Sequence, residues 1–386
     1  MEYTKIKEIN SYVSKSVNPA QMPDVVFEMY SVPTFETGHP EYLYGREIAS
    51  SKIVVKKNDI LLCKINPRIN RVWIVLDESD NPNIASSEWI VIRTDEYNPE
   101  FLAWYFRTPQ FQQRMMSEVT GIGGSLTRAQ PKRVAEYPVP VLDRQKQDRI
   151  ATVLNKIANI ISLRKQELKA YDELIKSRFI EMFGVYPANP MGWEIGTIRD
   201  IVTEVRYGSS RPAVDGGKYP YLRMNNITYG GELDLSDTKR IDIPDNELEK
   251  CTVRRGDVLF NRTNSKELVG KTCVYDRDEL MVLAGFVIRI RVKDRILPEF
   301  LSAFLNTDFS KQMLFGMCKT AIGQANINAQ ELQNIGLYLP PVELQRRFVQ
   351  FKKETDKSKL TIQKSLDELE TLNKALMQKY FGGNGV

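Results

Sequence analysis

Apolar and polar positions along this chain follow two periods, and the change from one to the other happens twice. Short apolar runs come first: Lys52-Ile53-Val54-Val55, Asp59-Ile60-Leu61-Leu62-Cys63, Val72-Trp73-Ile74-Val75 and Trp89-Ile90-Val91-Ile92. They are rich in β-branched and aromatic residues and are separated by Asn, Asp and Pro, which predicts strands. An amphipathic helix is expected from 99 to about 117, opened by a proline whose fixed φ suits a first helical turn. A Gly-rich loop, Gly121-Ile122-Gly123-Gly124-Ser125, and a Pro-bounded strand, Tyr137-Pro138-Val139-Pro140-Val141, follow. The period then lengthens. Ile150, Leu154, Ile157, Ile161, Leu168, Tyr171 and Ile175 alternate spacings of four and three, with Arg164 in the one missing seam position and Leu163 beside it.

The same grammar recurs. Asp257-Val258-Leu259-Phe260, Thr272-Cys273-Val274-Tyr275 and Phe286-Val287-Ile288-Arg289-Ile290 predict strands, a helix is expected from 298 to about 315, and Ala321-Ile322-Gly323-Gln324 stands for the loop. Gly336-Leu337-Tyr338-Leu339-Pro340-Pro341 closes the unit. A second seam runs through Ile362, Leu366, Leu369, Leu376 and Tyr380, weak at Asn373 beside Leu372. A single apolar seam with charged flanks cannot bury itself, so each long helix wants another. The simplest partner for each is the other, running antiparallel. From about 144 to 182 the first helix would be roughly 55–60 Å long at ~1.5 Å per residue.

The two halves are diverged copies. Val55-Lys56-Lys57-Asn58-Asp59-Ile60-Leu61-Leu62 matches Val253-Arg254-Arg255-Gly256-Asp257-Val258-Leu259-Phe260 at an offset of 198 residues. Pro99-Glu100-Phe101-Leu102 matches Pro298-Glu299-Phe300-Leu301 at 199, and Ala129-Gln130 matches Ala329-Gln330 at 200. Ile6 and Ile9 match Ile198 and Ile201 at 192. No counterpart for residues 18–44 is evident within 210–245. The expected fold class is α+β: domains over 1–143 and 185–342, a central helix over 144–184 and a C-terminal helix over 343–386, the two helices pairing as an antiparallel coiled coil.

Composition narrows the function. With 42% hydrophobic and 27% charged residues, the 386-residue chain is of ordinary globular make-up. No long apolar run predicts a membrane span, the N-terminal stretch lacks an apolar signal core, and four scattered cysteines form no C-x-x-C pair, so a cytoplasmic protein without a zinc site is expected. The single histidine, His39, argues against His-based triads and His-metal clusters. Gly270-Lys271-Thr272 resembles the end of a phosphate-binding loop, but Ser265 stands where its first glycine belongs. Glu167-Leu168-Lys169 lies on a helical stripe and reads as a solvated face. A net charge of +5 permits nucleic-acid binding without requiring it.

Recognition chemistry remains. Lys64-Ile65-Asn66-Pro67-Arg68-Ile69-Asn70-Arg71 and Arg262-Thr263-Asn264-Ser265-Lys266 follow matching strands. Arg suits guanine edges, Asn and Gln adenine edges, and Lys, Ser and Thr phosphates. The candidate DNA contacts are Lys64, Asn66, Arg68 and Arg71, with Ser125, Thr127 and Arg128 of the Gly-rich segment, in the first copy. In the second they are Tyr207, Arg211, Arg223, Asn225, Arg262, Asn264 and Lys266, with Gln324 and Asn326. Like frames with unlike loops suit two different targets.

These features in duplicate resemble the specificity subunit of type I restriction-modification systems. The resemblance is carried by Asn58-Asp59-Ile60-Leu61-Leu62, Gly256-Asp257-Val258-Leu259-Phe260 and Arg262-Thr263-Asn264 with Val269-Gly270-Lys271. Gly323-Gln324-Ala325-Asn326-Ile327, Leu339-Pro340-Pro341 with Gln345, and Trp193-Glu194 with Thr197-Ile198-Arg199-Asp200-Ile201 also carry it. It implies two target recognition domains reading a split double-stranded DNA site, with the helices as a ruler. It also implies docking of two modification subunits, which use S-adenosylmethionine to methylate adenine, and of a restriction subunit driven by ATP with Mg. On that reading this chain is non-catalytic and holds no cofactor. The alternatives are a coiled-coil scaffold joining proteins without DNA specificity, and an enzyme with an unrecognised site.

Overall fold

The computed structural model describes residues 2–76, 78–117, 127–321 and 324–382. Chain contacts divide it into two compact units, Met1–Arg164 with Ser365–Val386, and Lys165–Lys364.

In the first unit a three-stranded antiparallel sheet is ordered Val72–Ile74, Ile60–Cys63, Trp89–Ile92. Its central strand is apolar at every position because both faces are covered. Ile60 and Leu62 face Phe101, Leu102 and Leu154; Leu61 and Cys63 face Tyr30, Trp73 and Trp89. A second, mixed sheet contains Ser16–Val17, Lys52–Val54, Asn83–Ala85, Val26–Tyr30 and Glu41–Tyr44, in that order. Tyr3–Lys5 pairs with the closing strand Pro138–Pro140.

The second unit repeats this plan. Val202–Tyr207, Val287–Val292, Val258–Asn261 and Thr272–Val274 form one sheet, and Lys239–Ile241, Tyr219–Leu222, Met281–Leu283 and Thr252–Val253 another. Glu194–Thr197 pairs with Gly336–Leu339. Residues 18–44 therefore do have a counterpart. Tyr30 lies beside Ala85 in parallel register, and Leu222 lies beside Leu283. Phe27 pairs with Leu43, as Tyr219 pairs with Ile241. Tyr30 thus corresponds to Leu222, 192 residues on, whereas Leu43 corresponds to Ile241, 198 on. The six-residue change falls in the hairpin loop, residues 31–40 in one unit and 223–238 in the other. The expected offset of 200 at Ala129 is also corrected. Ala129 N–H donates to Lys64 O (2.8 Å) and Ile327 N–H donates to Arg262 O (2.9 Å), so Ala129 is equivalent to Ile327, at 198.

The helix expected over 99–117 is two helices, Pro99–Phe106 and Pro109–Ser117. Pro109 brings no N–H to continue the first, and the Thr108 hydroxyl accepts the Phe111 N–H instead. The twin is broken likewise into Pro298–Leu305 and Asp308–Met317, where Thr307 caps Ser310.

The long helices are Arg144–Phe183 and Val342–Phe381, 40 residues each. In the first unit Ile150, Leu154, Leu376, Tyr380 and Phe381 share one core, so the start of one helix lies with the end of the other. In the second unit Ile175, Phe179, Phe183, Phe348 and Val349 share another, with the ends exchanged. Ile157 is buried, and Ile161, Leu168, Tyr171, Ile362, Leu366 and Leu369 are buried or half-buried. Both seams hold their period through the polar positions. Arg164 and Asn373 are half-buried, whereas Leu163 and Leu372 are 53% and 47% exposed. Each long helix is clamped by a buried glutamine near its start. Gln147 accepts the Asn98 N–H and donates to Leu142 O; Gln345 accepts the Leu297 N–H and donates to Pro340 O, all at 2.8 Å.

Candidate nucleic-acid interface

Segments that look separate in the sequence converge in each unit. Lys64 leaves the strand Ile60–Cys63, donates from its backbone to Glu88 O (3.0 Å) and from Nζ to Ser87 O (2.6 Å). Asn66 turns the chain with φ +47°, a conformation its short side chain tolerates, and its N–H donates to Thr127 O (2.9 Å). Ile65 bridges Arg128. The post-strand loop is thereby stitched to the segment that leaves the Gly-rich loop.

The second unit repeats this stitch 198 residues on. Arg262 N–H donates to Phe286 O (3.0 Å), and its Nη1 reaches Gly285 O (3.5 Å). Thr263 and Asn264 form a two-residue strand against Gln324–Asn326. The side chains differ where the backbones agree. Ile65 and Thr263 correspond, as do Glu88 and Phe286, and Arg128 and Asn326. In the first unit Glu88 pairs with Arg128 (3.0 Å). In the second the Arg262 guanidinium lies 4.8 Å from the Tyr207 ring centre, and Phe286, whose carbonyl accepts the Arg262 N–H, has an exposed side chain. The Thr263 hydroxyl meets Asn326 Oδ1 (3.3 Å), Asn264 Oδ1 accepts the Ser265 N–H (2.9 Å), and Lys266 lies over Phe315 (4.2 Å).

Several expected cations are already paired. Arg211 grips Glu247 through two bonds (3.1 and 2.8 Å), which raises its pKa above the ordinary arginine value. Arg223 is held by Asp237 (2.9 Å), and Arg71 stands 3.9 Å from Glu36. Arg68 and Asn225 are exposed. Ser125 lies outside the described residues, and Gln324 is described in its backbone alone. Sequence reasoning did not pick out Phe286 or Tyr229, both at least half exposed. Their chain positions carry no signal, since buried aromatics share the same contexts. Among the described residues no group of three or more His, Cys, Asp or Glu side chains is placed to hold a metal ion, and no helix is long and apolar enough to cross a membrane.

Comparison with known proteins bears on this arrangement. Residues 190–371 match the family described as the type I restriction modification DNA specificity domain. Over 99% of its length the chain is 24% identical to the type I restriction enzyme MjaVIII specificity subunit of Methanocaldococcus jannaschii, covering 92% of that protein. The chain is thus similar to type I specificity subunits. It is 28% identical to the putative MjaX specificity subunit of the same organism over 50% of this chain, and 28% identical to the EcoKI specificity subunit of Escherichia coli over 47%. The match spans only 46% and 41% of those two relatives' own length. The specificity-subunit fold extends over the whole chain. A chain from a structure of the type I R-M system superposes with a TM-score of 0.59 at 19% identity, covering 100% of this chain and 98% of that one. The S subunit from M. genitalium gives 0.56 at 12%, covering 98% and 95%.

Proposed function

We propose that this chain is the non-catalytic subunit that reads a two-part double-stranded DNA site for partner enzymes acting in the cytoplasm. The observation that carries the reading is the pair of stitched loops: one backbone frame, built twice, bearing different polar and aromatic side chains. A frame that holds loops still while their side chains vary is what base reading requires. Lys64, Asn66, Arg68 and Arg128 would serve one half-site, and Tyr207, Arg262, Asn264, Lys266 and Asn326 the other. The paired helices would fix the spacer and dock two modification subunits, whose S-adenosylmethionine supplies the methyl group for adenine. A restriction subunit with ATP and Mg would join them.

The test is to express the chain with its modification subunits and sequence the methylated bases. A split, adenine-methylated motif is expected. None at all, with the complex verified as assembled, would refute the reading. Removing one heptad from each long helix should change the tolerated spacer, and an unchanged spacer would sink the ruler. A scaffold without DNA specificity would instead show no salt-sensitive DNA affinity and no effect of Arg262→Ala.

A further inference from the structure

The one length change between the recognition units that moves their offset from 192 to 198 falls in the hairpin loop 223–238, and that loop is tied down by three lysines. Lys271 Nζ donates to Met224 O (2.9 Å). Lys311 lies 4.9 Å from the Tyr229 ring centre and donates to Gly270 O (3.3 Å). Lys359, from the second long helix, pairs with Glu232 (2.7 Å) and with Asp172 of the first (2.6 Å). Between these anchors Gly231 has φ +85°, and a Cβ there would stand 2.5 Å from Asn306 Nδ2 and 2.9 Å from Thr272 O, so only glycine fits.

Strand register makes Arg71 the counterpart of Lys271, since Cys63 N–H donates to Arg71 O as Asn261 N–H donates to Lys271 O, whereas Gln112 and Ile161 stand in the places of Lys311 and Lys359. The shorter loop of the first unit has Arg71 3.9 Å from its Glu36 and is otherwise anchored by aromatic packing. Phe35 packs edge-on against Trp73 at 5.7 Å, within a cluster that includes Tyr30 and Trp89. The loop and two of its three anchoring lysines, Lys311 and Lys359, have thus changed together. The anchored loop presents Asn225 and Tyr229 to solvent: an amide able to pair with a base edge, and an aromatic ring.

We propose that loop 223–238 sets the sequence preference of the second recognition unit, with Asn225 and Tyr229 touching DNA and the Glu232–Lys359 pair positioning them. This rests on the DNA-reading function proposed above and assigns part of it to one loop.

The test compares methylated motifs from cells expressing the modification subunits with the wild-type chain, Asn225→Ala, Glu232→Gln, Lys359→Met or Lys359→Arg. Asn225→Ala should relax discrimination at one base of one half-site by about tenfold or more, leaving the other half-site unchanged. Glu232→Gln and Lys359→Met should degrade the same half-site, and Lys359→Arg should restore it. Loss of methylation at both half-sites alike in the Glu232 and Lys359 variants would mean a merely structural role and overturn the positioning claim. A wild-type split motif left intact by Asn225→Ala and Glu232→Gln would overturn the loop assignment while the DNA-reading function stands. No split motif from the wild type would remove that function itself.

Discussion

Substituting the buried aspartate that opens each central strand should destabilise the two units unequally. Asp59 is fully buried; it accepts the Lys56 N–H (2.8 Å) and a two-pronged grip from Arg93 (2.7 and 2.6 Å). Asp257 repeats the pattern with Arg254 N–H (2.8 Å) and Arg291 (2.8 and 3.4 Å). Removing one partner of a fully buried pair costs ~3–5 kcal/mol. Both arginines are about a quarter exposed and Asn keeps an acceptor, so the figure must be discounted. Arg93 then keeps the Tyr12 ring at 5.0 Å, with no second carboxylate in ion-pair contact among the described residues. Arg291 still has Glu204 at 3.6 Å. Asp59→Asn should therefore cost about 2 kcal/mol and Asp257→Asn about 1. At ~1.4 kcal/mol per factor of ten, this is about 30-fold and 5-fold faster hydrogen exchange. The assay is exchange of the full-length chain read by mass spectrometry, comparing peptides over Ile60–Cys63 and Val258–Asn261. An Asp257→Asn effect equal to or larger than that of Asp59→Asn would refute the argument from the spare carboxylate.

Three further outcomes are expected. Asn373→Leu should stabilise the first unit by roughly 1 kcal/mol, read as a higher melting temperature, because Asn373 Oδ1 is buried without a hydrogen-bond partner in an otherwise apolar stretch of seam. Gln345→Leu strands the Leu297 N–H and the Pro340 carbonyl. It should lower the denaturant midpoint by the equivalent of about 2 kcal/mol, and Gln147→Leu should act similarly in the first unit. Burial, then the charges of Lys271 and Lys176, bring the Lys311 pKa down from 10.5 to about 8. Below about pH 8 the folded and unfolded chains both hold the proton, and the cost of the buried charge, about 2–3 kcal/mol, is present in full. Between there and the ordinary lysine value the unfolded chain binds the extra proton, so stability should rise with pH. The wild type should gain on Lys311→Met over that window in equilibrium unfolding, and parallel pH curves would rule this out.

What the sequence made legible depended on whether burial was apolar. The strands at 60–63 and 258–260 are covered on both faces and read as unbroken apolar runs. The sheet of the first fifty residues hid because its burial is partly polar. Glu28 is completely buried in the strand Val26–Tyr30, where its carboxylate accepts the Tyr30 and Ser79 hydroxyls and the Glu78 N–H. A charged residue inside a five-residue strand erases the period that would announce it. The helix seams were readable at their apolar positions and misleading at Arg164 and Asn373, where a leucine one residue away suggested a shift that the backbone does not make. Candidate contacts were legible as residue types and not as free charges. Arg211 meets a carboxylate 36 residues away and Arg223 one 14 away, separations that only the folded hairpins close.

The polar anchors also separate the recognition units in a way that composition hides. In the first unit the loop over the central sheet rests on Trp73, an anchor of apolar area that salt does not screen. In the second Cys273 stands in the place of Trp73, and the loop is held by cations against carbonyls, a ring and a carboxylate. Exposed ion pairs weaken as salt rises and the Debye length falls below the ~8 Å of physiological ionic strength, whereas Lys359 sits largely buried against the helix seam. Raising salt should therefore weaken phosphate contacts in both units alike. It should loosen the second loop only where its anchors are exposed. A half-site preference lost selectively in the second unit above physiological salt would place the weak point at Glu232, the more exposed partner of that pair.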